Sequence, residues 1–226
     1  PGDDGAFEIE AAMGETALKL RLVSSKPPVL HGENGFSRKA AGDDHASNYY
    51  SLTRLATTGE VRVGKTTFQV QGESWFDHEW ATNQLAPGQI GWDWLSAQLN
   101  DGTELMLYQI RLENGGPDPS SSGTFVAADG GGTHLPGGSY TMTPIDWWKS
   151  GKTPARYPIA WRIEVPGQQL QLTVRAVIPE QELALQPLSY WEGAVDITGT
   201  RGGREISGRG YLELTGYAGP LRELSR

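Results

Sequence analysis

In Leu18-Lys19-Leu20-Arg21-Leu22 apolar and charged residues alternate without a break, and the same two-residue period returns along much of the 226-residue chain. Alternation sends successive side chains to opposite faces of an extended strand, so each such run must bury one face and leave the other wet. The runs also come in pairs about turn residues. Val61-Arg62-Val63 and Phe68-Gln69-Val70-Gln71 flank Gly64-Lys65, and Trp92 to Leu99 and Glu104 to Arg111 flank Asn100-Asp101-Gly102. Ile159 to Val165 and Leu170 to Val177 meet at Pro166-Gly167, and Ala194 to Thr200 and Glu205 to Thr215 meet at Arg201-Gly202-Gly203-Arg204. Successive antiparallel hairpins follow. With 30 glycines and 14 prolines for turns, 8 tryptophans for an interior and almost no helical period, the chain reads as all-β.

Two stretches interrupt the pattern, Pro27 to Ser47 and Gly115 to Gly138, and both are expected to be loops. Asp129-Gly130-Gly131-Gly132 lacks the following Lys-Ser/Thr and helix of a phosphate loop, so it reads as a surface turn. A composition shift at Asn83 to Gln89 places a joint between two β units, residues 1–84 and 85–226. Against 27 acidic residues stand 19 basic ones, with no Lys/Arg run longer than two, so nucleic acid is not an expected partner. No cysteine is present, which excludes disulfides, thiolate catalysis and Cys-based metal sites and fits a cytosolic or an exported protein alike. No apolar run reaches the roughly 18 residues of a membrane helix, and no stable membrane insertion is expected.

The densest chemistry is Ser74 to Ala81, SWFDHEWA. On a strand, Trp75, Asp77 and Glu79 share one face while Phe76, His78 and Trp80 share the other. Alternate carboxylates then lie roughly 7 Å apart, and a carboxyl packed on indole would hold its proton more tightly and act as a donor near neutral pH. His78-Glu79 opens like a zinc-protease motif, but Thr82 stands where the second histidine belongs. His31, His45 and His134 fall in expected loops without ligand spacing, so neither metal nor cofactor is expected. Gly72-Glu73-Ser74-Trp75-Phe76 opens like a nucleophile elbow, with Phe76 where its second glycine is required. Two readings stay open for Asp77, His78 and Glu79: acid–base chemistry, or hydrogen bonds that pin a domain junction. Trp92, Trp94, Ser96 and Gln98 share a strand face that suits a ligand cavity or packing between units. Tyr190, Trp191 and Glu192 form a second aromatic–acid group, read as packing at a barrel rim or as a ligand contact. Trp147-Trp148, beside Lys149-Ser150-Gly151-Lys152, is read as ordinary packing.

In one order along the chain, SWFDHEWA, GWDWLSAQLNDGTELMLYQIR (Gly91 to Arg111), YPIAWRIEVP (Tyr157 to Pro166), YWEGAVDITG (Tyr190 to Gly199) and GRGYLELTGY (Gly208 to Tyr217) make a recognisable set. From about Tyr49 onward the chain resembles the carotenoid 1,2-hydratase family (hydroxyneurosporene synthases) and its AttH-like relatives. The resemblance implies two consecutive lipocalin-like antiparallel β-barrels, the DHEW segment closing the first and the GWDW strand opening the second. Residues 1–48 do not match the family's upstream strands, so the first barrel is expected to be incomplete at its N-terminus. The resemblance also implies that Asp77 is the acid that protonates an isolated carbon–carbon double bond and that Trp75, at a tyrosine position of the hydratases, lines the site. Glu79, where the hydratases tend to carry asparagine, points to the AttH-like branch. The expected activity is that of a hydratase or isomerase on an apolar isoprenoid or lipid. Trp75, Trp80, Trp92, Trp94, Gln98, Tyr190 and Trp191 would contact the ligand, and Glu79 or His78 would position water. The alternative is a carrier that binds an apolar molecule without chemistry. Relatives often labelled as secreted imply export to a bacterial periplasm, with the cytoplasm still compatible.

Overall fold

The structure, a computed structural model, describes residues 5–42, 44–81, 83, 85–185, 189–219 and 221. Among them strands dominate, as the alternation requires, and the one helical piece is a 3-10 turn at Pro166–Gln168. The all-β expectation holds. The chain divides into two compact units, residues 1–29 with 50–78, and residues 30–49 with 79–226.

In the first unit β1 (Phe7–Met13) and β2 (Thr16–Ser24) form an antiparallel hairpin. Along β2, Lys19 and Arg21 are exposed while Leu18, Leu20 and Leu22 turn inward, as their spacing dictates. β2 then pairs with β5 (Ala46–Val63), which turns into β6 (Thr66–Ala81). Gly64 in that turn has φ 60°, a backbone state that glycine enters without a Cβ penalty. The core is small: Leu22, Leu52 and Leu55, with Phe7, Leu20 and Phe76 packed against them.

The second unit contains the pairing of β4 (Phe36–Arg38) with the first residues of β5, just after β3 (Val29–Leu30). Its main sheet is built from β7 (Gln89–Leu99), β8 (Glu104–Leu112), β9 (Ser122–Val126), β10 (Gly132–Pro136), β11 (Thr141–Lys149), β12 (Arg156–Val165), β13 (Leu170–Ala176), β14 (Glu182–Ala184), β15 (Ser189–Arg201) and β16 (Arg204–Thr215). The order is β10-β9-β8-β7-β16-β15-β13-β12-β11, antiparallel throughout, with β14 beside β15. Leu135 of β10 and Met142 of β11, from opposite ends of that order, enter one core with Leu95, Phe125, Trp161 and Trp191. A sheet whose two ends feed one core must curl on itself. Glycines permit the close approach: a Cβ on Gly199 would lie 2.0 Å from the Gln171 oxygen, and one on Gly210 would lie 2.1 Å from the Ser96 oxygen.

That core also holds a charge. Asp93, fully buried, pairs with Arg111, whose other nitrogen donates to the Thr215 carbonyl and whose guanidinium lies 3.9 Å over the Tyr217 ring. The Tyr217 hydroxyl donates to Asp93 Oδ1 at 2.9 Å. Burial pushes the Asp93 carboxyl up to about 6 against the pull of Arg111 and Tyr217.

Two stretches read as loops are more ordered than their composition suggests. Residues 115–138 contain the β9–β10 hairpin, whose strand SGTFV is buried at every position and therefore shows no alternation. His134 lies on β10 rather than in a loop, and Asp129 to Gly131 form the hairpin turn. Residues 27–47 hold the short strands β3 and β4, and His31 and Ser37 there are buried. Trp148 sits on β11 and stacks on Tyr157, which supports its reading as packing.

Candidate functional site

In the first unit the site begins on β6. Trp75 Nε1 donates to Asp77 Oδ1 at 2.5 Å, and the buried Ser51 hydroxyl of β5 donates to the same oxygen. Strand alternation explains the first contact, since residues two apart share a face. The indole meets the carboxyl through its N–H, so this is a polar contact rather than the desolvating one expected, and Asp77 is exposed. Tyr50, Phe76 and His78 form the opposite group: His78 lies 5.3 Å from the Tyr50 ring and Phe76 6.2 Å from it, with His78 Nδ1 3.2 Å from the Tyr50 hydroxyl. His78 therefore projects away from the Asp77 face of β6.

In the second unit the outward face of the curled sheet is as informative as the core. Direct cross-strand partners share a face. One row runs Ser122–Tyr108–Trp94–Glu213–Glu192 across β9, β8, β7, β16 and β15, and the next runs Thr124–Met106–Ser96–Tyr211–Ala194. Gln98 lies opposite Arg209, and Tyr190 opposite Thr215, on the same face. Trp92, Trp94, Ser96, Gln98 and Tyr190 are thus brought onto one surface. Trp191 is not: it is fully buried in the core and donates to the Pro179 carbonyl at 2.6 Å. Trp80 is half exposed.

Residues 30–49 lie against this face. His31 Nδ1 is 2.8 Å from the Thr124 hydroxyl, Ser37 bonds the Tyr108 hydroxyl at 2.9 Å, and Trp94 Nε1 donates to the Tyr49 hydroxyl at 3.0 Å. Burial, helped by Lys39 and His134, pulls His31 down to about 3 and keeps it neutral. Lys39 Nζ lies 3.9 Å from the Tyr108 ring centroid and 2.8 Å from Glu79 Oε1, which Ser47 also donates to at 2.5 Å. Burial opposes the Lys39 charge, but Tyr108 and Glu79 outweigh it and hold the ammonium above its usual range. Glu79 is thereby tied into an ion pair.

The same face carries Glu192, of the second aromatic–acid group, and a carboxyl that sequence reading passed over, Glu213. Trp92 Nε1 donates to Glu213 Oε1, and the Tyr211 hydroxyl donates to Glu192 Oε2 at 3.3 Å. Burial first, then Glu192 and Glu79, push Glu213 up to about 7, with Trp92 acting the other way. The alternation Tyr211, Glu213, Thr215 against Leu212 and Leu214 shows that Glu213 faces away from the core. Glu192 is its partner across the β15–β16 hairpin, but nothing local shows that Glu213 meets Trp92. No group of three or more acidic or histidine side chains able to hold a metal ion occurs among the described residues.

Comparison with known proteins adds to this geometry. The profile of the AttH-like family matches residues 2–217. A solved structure from Nitrosomonas europaea assigned to AttH superposes with a TM-score of 0.85 at 37% identity, covering 96% of this chain and 66% of that one. Kievitone hydratase from Nectria haematococca superposes with a TM-score of 0.78 at 16% identity, covering 95% of this chain and 65% of that one, a likeness of fold. The dehydratase asqC of Emericella nidulans is 21% identical over 223 residues, 92% of this chain and 60% of that protein. The chain thus spans somewhat less than two thirds of the length of these relatives.

Proposed function

Because the chain belongs to the AttH-like family, we propose that it is a hydratase- or dehydratase-like protein acting on an apolar isoprenoid or lipid. Two relatives are named for adding or removing water, one a hydratase and the other a dehydratase, which supports that class of reaction. The observation that carries the reading is the Asp77 carboxyl of β6, with Oδ1 anchored by Trp75 of the same strand and Ser51 of β5. A carboxyl fixed at one oxygen is oriented for proton transfer, and an indole beside it stabilises a developing carbocation by roughly 0.5 to 2 kcal/mol. Asp77 gives its proton to one alkene carbon, water adds to the other, and the proton released from water restores the acid. The carotenoid 1,2-hydratases, which do this on an isolated double bond, are the finer form of the proposal.

The test uses neurosporene and kievitone as probes in heavy-oxygen water, read by mass spectrometry of the product. Asp77→Asn is expected to slow incorporation about a hundredfold or more, the usual worth of a general acid. Unchanged turnover in that variant removes Asp77 from the mechanism. A wild-type chain that retains either probe unaltered is a carrier instead.

A further inference from the structure

We propose that Glu213, with Glu192 beside it across the β15–β16 pairing, is a proton-transfer residue for a substrate seated on the Trp92–Trp94 face of the second unit. The register of three strands carries this. Glu213 stands between Trp94 on β7 and Glu192 on β15, and Trp92 Nε1 holds its Oε1. As direct cross-strand partners the two carboxyls share one face of neighbouring strands, and the Glu192 charge favours the protonated form of Glu213. The Tyr211 hydroxyl donates to Glu192 Oε2, and Tyr190 stands on the same face of the sheet. From β6, Glu79 adds a negative charge that Lys39 partly neutralises. Partial burial and these neighbours together raise Glu213 to about 7, where a carboxyl can both give and take a proton.

The surroundings fit an apolar ligand. Trp92 and Trp94 are half-buried and Tyr211 is exposed, so ring surface is open beside the carboxyl pair. In hydration the protonated member transfers its proton to an alkene carbon as the carbon–carbon π bond breaks. Water oxygen bonds the resulting cation, and its surplus proton passes to the carboxylate left behind. One water is consumed and the pair ends with the single proton it began with. Dehydration is the same sequence reversed. The inference rests on the hydration reading but not on Asp77.

Wild type, Glu213→Gln, Glu192→Gln and Asp77→Asn are compared on neurosporene and kievitone in heavy-oxygen water, each across pH. Glu213→Gln, a neutral mimic of the protonated acid, should retain the wild-type melting temperature near pH 6 and lose turnover about a hundredfold or more. Glu192→Gln removes the neighbouring charge and should shift the pH–rate limb downward. Should Glu213→Gln fold poorly, that shift decides alone. Wild-type turnover in Glu213→Gln, or an unmoved limb in Glu192→Gln, overturns the assignment while leaving the hydration reading standing. A wild-type chain that incorporates no heavy oxygen into either probe overturns both.

Discussion

Asp93 shows how far a single residue can be placed from sequence. In GWDW, alternation sends Asp93 to the face opposite Trp92 and Trp94, toward Leu95 and Ala97. Its partner Arg111 and the Tyr217 hydroxyl were not legible, because they depend on which strands lie alongside β7. Removing one member of a buried ion pair leaves the other charge uncompensated, at a cost of about 3–5 kcal/mol. Asp93→Asn should destabilise the second unit by that amount in urea unfolding. Replacing both residues, Asp93→Leu with Arg111→Met, should recover most of the loss. A single variant that unfolds like wild type would mean that Arg111 finds water once its partner is gone.

At the scale of elements, Pro27 to Ser47 reads as a loop because Gly, Pro, Asn and Asp break the alternation. What ties residues 30–49 down is distant in sequence: Thr124 for His31, Tyr108 for Ser37 and Trp94 for Tyr49. His31 gives the tie a pH dependence. Its folded value, about 3, lies below the ordinary 6.5, so the unfolded chain binds a proton that the folded chain refuses. Its contribution is complete above pH 6.5 and is lost as pH falls toward 3. Amide protection across residues 31–49, corrected for intrinsic exchange, should therefore weaken from pH 6.5 to 4. In His31→Asn, which cannot take the proton, protection should stay flat over that range. The β9–β10 hairpin was missed for a different reason: burial on both faces leaves β9 no period to read, and β10 carries a single buried apolar residue, Leu135.

For the whole molecule, Glu213 and Asp93 act opposite to His31. Their folded values, about 7 and about 6, lie above the ordinary carboxyl range, so the folded chain keeps protons that the unfolded chain releases. Stability from these groups is present at low pH and lost as pH rises through those values. Above pH 6.5, where the His31 contribution no longer changes, melting temperature should fall until pH passes about 7, and Glu213→Gln should flatten that fall. The two units should also unfold separately, because the first has a core of three buried leucines and the second draws on most of its strands. Trp75 is the one tryptophan of the first unit, so its emission should change at lower urea than that of the others, and Trp75→Phe should remove the early transition. Period and turn chemistry are local, and by themselves they determined the strands, most hairpins, the two faces of β6 and the outward face of β7. Which remote strands become neighbours is settled only when the sheet curls and buries its core. That step set β16 against β7, and with it brought Glu213, already opposite Glu192 across its own hairpin, to Trp92.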